Sequence, residues 1–523
     1  MLTATNLVLL VDPERQLFLD VVPEDHFLRK LLQAVDFEQF RPLLETAYRS
    51  FGRPPVDSIF MLKLELLARQ YRLSDREVIA AVRFNIAYRL FLGISLKSPL
   101  PHHTLLTYFR QRLGPERLQR VFDNLVGQAR RLGLVKDRLR LKDATHVIAN
   151  VAVPTTIRLV AEVRDQLLEA LRPFAAARVA EEEQRADAIR LATEDAKDEE
   201  RLVQRVTHLR AVLVWADTYR APAGSDARTA EKLQAALALA HKVLADRDAP
   251  KVGDKVVSAQ DPDARRGKHG DYYDGYLLDI SMDADSEIIT ALNVLPANGD
   301  EGADAVNLIR QEEQAHGNDV QALSIDGAGY RGEVLRELQK ELNVEVFVPP
   351  TTRIPLTVFG PEAFSLSADG AVLTCPAGQT TSQWQRNGHD TGRKFRFSKK
   401  QCSGCARREE CLSNPKARSR SVIKNDYEAE YRAAQAKAET PEYAATRKEH
   451  PAIERKLSEL VNRHGARQAR YRGRSGVCWQ MLMTGLVTNL KRVVRLVAEV
   501  LTQPNTQPQA AEGTVRAELV GAS

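Results

Sequence analysis

The sequence predicts an α/β protein with large helical parts. Three observations lead to this prediction. Alternating strand patterns occur at widely separated places in the middle of the chain, helical apolar spacing fills most of the remainder, and a basic segment with four cysteines lies in the C-terminal half. We therefore expect a mixed sheet carrying a helical insertion, a helical N-terminal domain and a small cysteine-containing module.

Composition is that of a soluble globular protein of several structural units. The chain has 523 residues, of which 43% are apolar and 28% charged, with a net charge of +6. The one apolar run near the start, Leu7 to Val11, is too short for a membrane span and lacks the flanks of a signal peptide. We expect a cytoplasmic, nucleoid-associated protein without a membrane partner, whose cysteines are reduced.

Residues 1–135 are predicted to be mainly helical, with a break at 53–55. Asp57 is predicted as an N-cap, and Ser74 with Glu77 as a capping box. Short helices joined by tight turns suit a DNA-binding helix-turn-helix module, whereas the alternative is an ordinary helical bundle with solvated arginines. The candidate DNA contacts in this domain are Arg83, Arg89, Arg110 and Arg112.

The middle of the chain alternates between strand and helix. Residues 155–249 are predicted to be a solvated helical insertion, either a spacer or a dimerisation arm, because opposite charges recur there at helical spacing. The other predicted elements are a strand at 139–147, a β-hairpin at 276–282 and 287–294, a helix at 304–316, a strand at 320–325, a helix at 333–342, a strand at 344–348, and helices over 440–502.

Three acidic residues are placed to share one edge of this domain. Asp143 is expected at the end of the first strand, Asp326 at the end of a later one, and Glu454 on a helix that could cover that edge. Carboxylates from separate elements can hold two divalent ions, Mg²⁺ or Mn²⁺, and such a pair stabilises the attacking and leaving oxygens at a phosphodiester. Most acids in a chain are solvated surface residues, so only the combination indicates chemistry.

The four clustered cysteines have spacing that suits a structural zinc site. The pattern is C-x26-C-x2-C-x5-C, and four thiolates can close a tetrahedral Zn²⁺ site. The alternative is thiols without metal, and Cys478, in an apolar helical stretch, is expected in the core. The candidate zinc ligands are Cys375, Cys402, Cys405 and Cys411.

Two basic stretches flank the third acid. Residues 386–424 hold twelve Lys or Arg against three Asp or Glu, and residues 461–496 hold eight with no acid. Such clusters favour DNA binding through counterion release, although a charge run is usually only a solvated face. The candidate DNA contacts here are Arg467, Arg470, Arg472, Arg474 and Lys491.

Four blocks of this sequence resemble insertion-sequence transposases of the DDE type. KDATHVIAN at 142–150 is similar to their first-Asp motif, D-[SGA]-T-x-[VI]-x-A-N, and SIDGAGYRGE at 324–333 to their second-Asp motif. SAQDPDARRG at 258–267 and the hairpin that follows it resemble the segment between these motifs. IERKLSELVNRHGARQARYRG at 453–473, followed by WQMLMTGLVTNLKR at 479–492, resembles their Glu-bearing region, and all blocks occur in the expected order.

This resemblance implies an RNase H-like catalytic domain with a helical DNA-binding domain before it. It also implies Mg²⁺-dependent transposition with Asp143, Asp326 and Glu454 as the catalytic acids, and a homodimer acting on terminal inverted repeats and target DNA. The match departs from the family pattern where an Arg and a Lys are usual, since His450 and Val461 stand there. Arg447, Arg455 or Lys456 could substitute for these two cations. Glu449 and Glu459 are the fallback candidates for the third acid.

The sequence thus predicts a DNA transposase that cleaves transposon ends and transfers the strands to target DNA. The alternatives are a nuclease without strand transfer and a catalytically idle DNA-binding protein. The expected organisation is a helical DNA-binding domain at 1–135, an RNase H-like core at 136–154 and 250–360, the insertion at 155–249, a basic zinc-binding module with the four cysteines at 361–425, a helical part carrying the Glu at 426–502 and a disordered tail at 503–523.

Overall fold

The computed structural model describes residues 7–48, 56–219, 226–249, 253–351, 358–388, 391–414 and 416–502. The described residues form two compact units. The first comprises Met1–Lys136, Ala144–Asp300 and Glu454–Ser523, and the second comprises Asp137–Asp143 and Glu301–Ile453. The break expected at 53–55 and the tail expected at 503–523 lie outside the described residues.

The N-terminal segment is helical, as predicted. Asp57 caps its helix by accepting a hydrogen bond from the Phe60 amide, and Ser74 and Glu77 form the predicted capping box. The last helix is interrupted at Gly114, whose φ of 64° is left-handed, immediately before Pro115. The helices are α1 (Asp12–Val21), α2 (Phe27–Ala34), α3 (Arg41–Glu45), α4 (Ser58–Gln70), α5 (Asp75–Phe84), α6 (Ile86–Leu92) and α7 (Thr104–Arg131).

The insertion follows strand β1 (Arg140–Ile148) and has a core of its own. Its three helices are α8 (Thr156–Ala192), α9 (Asp198–Thr218) and α10 (Ala227–Asp248). Leu167, Leu209 and Val243, one from each helix, are buried in a single apolar cluster, which Val256 and Ala259 extend. The insertion is therefore a packed three-helix element rather than only a solvated spacer.

The first unit also contains an antiparallel sheet. Strands β3 (Asp271–Asp283) and β4 (Ile289–Pro296) form the predicted hairpin, and β2 (Arg265–His269), which the sequence did not indicate, pairs with the start of β3. β3 also neighbours β1. Gly275 is needed at this contact, because a Cβ there would lie 2.0 Å from the Val147 carbonyl oxygen.

The second unit is built on parallel strands. The first residues of β1 pair with β5 (Ala322–Ser324), which pairs with β6 (Glu345–Phe347). Helix α11 (Glu301–His316) precedes β5, and α12 (Gly332–Arg336) lies between β5 and β6 in the chain. Arg140 on β1 and Glu312 on α11 are both fully buried and form a bidentate ion pair with distances down to 2.6 Å. The strand, helix, strand, helix, strand order of the prediction is confirmed.

The cysteine-containing segment consists of short strands rather than irregular chain. Two three-stranded sheets form here, in the orders β7-β8-β9 and β10-β11-β12. The elements are β7 (Ser365–Leu366), β8 (Leu373–Thr374), β9 (Thr380–Thr381), β10 (Trp384–Arg386), β11 (Gly392–Arg396), α13 (Lys399–Ser403), α14 (Arg408–Cys411) and β12 (Ser421–Asn425).

Four helices end the described chain, namely α15 (Glu428–Ala438), α16 (Pro441–Glu449), α17 (Pro451–His464) and α18 (Arg474–Thr502). Within the first unit, α18 packs against α7, α4, α2 and β4, so that it supplies much of that unit's core. The mixed α/β class predicted from the sequence is confirmed. In the part of the chain that the structure describes, no helix has the length and apolar character needed to cross a membrane.

Candidate active site

Two of the predicted acids occupy equivalent positions on neighbouring parallel strands. β1 and β5 pair with Leu141 opposite Ser324. Asp143 and Asp326 each stand two residues beyond that pair, and both are partly buried. Because adjacent strands in a sheet lie about 4.8 Å apart, this register gives the two aspartates corresponding places on neighbouring strands of the second unit.

One detail of the prediction is wrong. Asp143 was expected at the end of its strand, but β1 continues to Ile148. The strand goes on because its later residues neighbour β3, whereas β5 has already ended at Ser324. Asp143 therefore lies where β1 exchanges one neighbour for another.

Asp326 begins a tight turn that fixes its backbone. Its Oδ1 accepts a hydrogen bond of 3.1 Å from the Ala328 amide and so caps a short 3-10 helix, Gly327–Gly329. Gly329 packs so closely on Ile325 that a Cβ would lie 2.6 Å from that side chain. The absence of a side chain at Gly329 therefore allows the turn to close directly after the strand.

Two side chains of the helical region hold the strand that precedes Asp326. Arg447 Nη1 donates to the Ile325 carbonyl at 2.9 Å and to Ser324 Oγ at 3.1 Å. His450 Nδ1 lies 3.1 Å from the same Ser324 Oγ. Burial, with the nearby Arg447 charge, lowers the pKa of His450 to about 4, so its ring is neutral near pH 7 and can accept the serine proton.

The three candidates for the third acid have different surroundings. Glu449 forms a two-pronged ion pair with Arg138 at 3.1 and 2.7 Å. His464 and Lys456 lower the pKa of Glu459 to about 2. Glu454 is exposed in the first turn of α17 and forms no ion pair with any described residue. It is thus the candidate whose carboxylate is not already engaged by a cation in the described chain.

The predicted zinc ligands surround one small pocket. Cys375, Cys402, Cys405 and Cys411 all line it, against an apolar cluster that includes Phe364 and Phe397. Burial raises the pKa of the Cys411 thiol, and the other three cysteines raise it further. Nevertheless, no three His, Cys, Asp or Glu side chains among the described residues are grouped closely enough to hold a metal ion. The structure therefore shows neither the expected zinc site nor the expected Mg²⁺ site of the three acids.

The predicted DNA contacts of the N-terminal domain differ in their availability. Arg89 is buried and donates to the backbone carbonyls of Val82 and Ser95, so it supports the turn after α6 instead of facing solvent. Arg110 is ion-paired with Glu65 and Asp75. Of the four predicted contacts, those with exposed side chains are Arg83 and Arg112.

The predicted contacts in the C-terminal region divide in the same way. Arg467 donates to the His146 carbonyl at 2.7 Å and joins the segment after α17 to β1. Arg474 donates to the Val294 carbonyl at 2.6 Å. Arg470 and Arg472 are exposed, and half-buried Lys491 lines a basic cleft.

Sequence reasoning did not find the contacts that support Asp326. Ser324 looked like an ordinary strand residue, and its two partners lie more than a hundred positions away in the chain. The sequence did contain one indication of these contacts. Arg447 and His450 are three residues apart, and this spacing puts two side chains on the same face of a helix.

Two family models match the chain. A transposase domain (DUF772) matches residues 16–112, and a transposase DDE domain matches residues 374–494. The two matches support a DDE transposase of an insertion element. No curated protein and no solved structure matches it. Glu454 and the four cysteines lie inside the DDE match, whereas Asp143 and Asp326 lie in the segment between the two matches.

The DDE domain of this transposase implies an RNase H-like catalytic fold and a DNA substrate. It also implies nuclease or transposase activity of the kind that uses a divalent metal.

Proposed function

We propose that this transposase cleaves DNA at the ends of its element and joins the strands to target DNA, with Asp143, Asp326 and Glu454 as the catalytic acids. The observation that carries the proposal is the parallel register of β1 and β5, which gives Asp143 and Asp326 equivalent positions on adjacent strands. Two carboxylates so close repel each other, and a shared divalent ion relieves that repulsion.

Mg²⁺ or Mn²⁺ fits the donor set, because both ions prefer carboxylate oxygens. Asp143 and Asp326 would hold them, with Glu454 as the third ligand. When bound, two such ions supply stabilisation of the charge on the attacking and leaving oxygens and activate a water or a 3′-hydroxyl. The contribution of the protein is to keep the two aspartates in register on adjacent strands.

Arg447 and His450 act in this proposal as positioning residues. They hold Ser324 and Ile325, the last residues before Asp326, through hydrogen bonds of 2.9 to 3.1 Å. Movement of about 1 Å at a reacting group can cost a large factor in rate. We therefore expect the loss of Arg447 to lower turnover more than DNA affinity.

Glu454 is preferred as the third acid for two reasons. It lies within the segment matched by the DDE domain. Glu449 and Glu459, the alternatives, are each engaged by cations.

The proposal is tested by cleavage of a supercoiled plasmid that carries the ends of the element, in Mg²⁺. Asp143→Ala, Asp326→Ala and Glu454→Ala should each abolish cutting while binding of the ends persists. Glu449→Ala is the matched control and should cut at the wild-type rate. If Glu454→Ala cuts and Glu449→Ala does not, the third acid is misassigned. If the wild type binds ends and never cuts, the transposase is catalytically idle.

The four cysteines are proposed to close a structural Zn²⁺ site. They line one pocket, and each of the other three affects the pKa of Cys411. Metal analysis of the purified full chain should find about one zinc per chain. Cys405→Ser should lose it, and Cys478→Ser, which changes a thiol on α18, should keep it. Wild-type protein without zinc would contradict the assignment.

The proposed DNA partners are the terminal inverted repeats and the target duplex, and the proposed acting species is a homodimer. Cutting and joining two ends requires that both be held together, which one copy at each end accomplishes. The mass of the protein–DNA complex, measured on one transposon end and on a substrate that carries two ends, shows whether two copies of the chain act together.

A further inference from the structure

A basic cleft lies in the first unit, whereas the two aspartates belong to the second. The cleft has a volume of about 570 Å³ and is formed by α17, by α18 and by the turn between β3 and β4. Six basic side chains line it against two acidic ones, Glu287 and Glu459, so the lining carries a net charge of +4. The basic residues are Arg455, Lys456, Arg463, Lys491, Arg492 and Arg495.

Three of these cations are partly used by the protein itself. Lys456 lies 3.1 Å from Glu459, Arg492 donates to the Ser286 carbonyl at 2.5 Å, and Arg495 lies 2.8 Å from Glu499. These contacts hold the walls of the cleft. They do not neutralise it, because the cations of the lining outnumber its acids.

The other three, Arg455, Arg463 and Lys491, form no ion pair with any residue that the structure describes. Burial lowers the pKa of Lys491, and the charges of Arg463 and Arg72 lower it further, although Glu459 opposes them. Cations held at such proximity repel one another. A bound anion would relieve that repulsion.

Arg72 makes the wall at Arg463 rigid. It has a left-handed backbone with φ of 57°, which is uncommon for a residue other than glycine. Its guanidinium donates to the carbonyls of Asn462 and Arg463 at the end of α17. The backbone that carries Arg463 is thus held in place before any ligand arrives.

We propose that this cleft binds the phosphate backbone of duplex DNA. The inference rests on the proposed function for its partner but concerns a surface that the catalytic acids do not include. Cations spread along two helices suit a row of phosphates better than one small anion, since successive phosphates on a strand are several Å apart. Contacts of this kind set affinity and orientation without reading sequence.

The phosphates could belong to the transposon end or to the target duplex, and binding measurements separate the two. The probes are a duplex that carries the terminal repeat and a scrambled duplex of equal length. The full-length chain is titrated against each by fluorescence anisotropy at several KCl concentrations. The test variant is a triple variant that carries Arg455→Gln, Arg463→Gln and Lys491→Gln in one chain.

Each lost phosphate contact reduces the slope of log K against log salt by about 0.9, so the triple variant should lose about 2 to 3 from the slope. Its affinity near 0.1 M salt should fall by at least about tenfold. A loss confined to the repeat duplex identifies the end as the ligand, and a loss confined to the scrambled duplex identifies the target.

A second triple variant controls for net charge. Arg185→Gln, Arg228→Gln, Lys232→Gln removes three exposed cations from α8 and α10 of the same unit and should bind as the wild type does. Equal losses in the two triples, or no loss in the cleft triple, overturn the inference. Asp143→Ala keeps the cleft, so its binding should be unchanged even when cleavage is lost. Failure of the catalytic proposal can thus be told from failure of the cleft.

Discussion

At the residue scale, the support for Asp326 depends on an uncharged histidine. His450 is 4% exposed, shares Ser324 with Arg447, and has a pKa lowered to about 4. Protonation would place a second positive charge beside Arg447 in a buried location. The unfolded chain has no such restriction, and a histidine there titrates near pH 6.5.

This difference predicts a loss of stability in acid. The folded pKa lies below the unfolded one, so the unfolded state binds the extra proton first and stability falls as pH drops from about 6.5 towards 4. The limiting slope from this residue is about 1.4 kcal/mol per pH unit. Urea unfolding of wild type and His450→Gln at pH 7, 6 and 5 measures it. Equal acid losses in the two proteins would contradict the assignment.

Residues whose structure is decided locally were predictable. The capping box of Ser74 and Glu77 and the cap at Asp57 need only neighbouring backbone amides, and both were confirmed. Arg89 was expected to contact DNA and is buried because three carbonyls of its own turn region surround its guanidinium. Neither the charge nor the spacing of an arginine reports such burial.

At the scale of elements, strand register is what gives the two aspartates corresponding positions on adjacent strands. Alternation in the sequence predicted both strands, but it could not say which strands are neighbours or how they are aligned. For the same reason β2 was missed, since its residues Arg265–His269 are mostly polar and exposed and show no apolar face. Asp143 was placed at a strand end because nothing local reveals that β1 gains β3 as a neighbour.

The contact between β3 and β1 predicts a site that tolerates no side chain. A Cβ on Gly275 would lie 2.0 Å from the Val147 oxygen and 2.8 Å from the Ala149 nitrogen, and both are backbone atoms that cannot turn aside. Gly275→Ala should cost about 1–3 kcal/mol or more, seen as a lower melting temperature. Gly253→Ala, where nothing lies within 4 Å, is the control and should change little. Similar melting of the two variants would show that the strands can separate there.

At the scale of the whole molecule, the sequence predicted the order of elements better than their grouping. The mixed sheet, the insertion and the C-terminal helices occur where periodicity indicated them. The division between units could not be predicted, since it passes within β1 and within α17, through continuous secondary structure. The domain limits that were inferred from changes in sequence composition and periodicity therefore stay predictions.

The insertion provides a test of that organisation, because its core is built from its own three helices. Residues 154–261 expressed alone should show helical circular dichroism and unfold in one cooperative transition. Leu209→Asp, at a fully buried position of α9, should abolish the transition because a charge without a partner would enter the core. Val203→Asp, on the same helix but 60% exposed, should preserve it. A fragment without cooperative unfolding would mean that the helices need the rest of the first unit to pack.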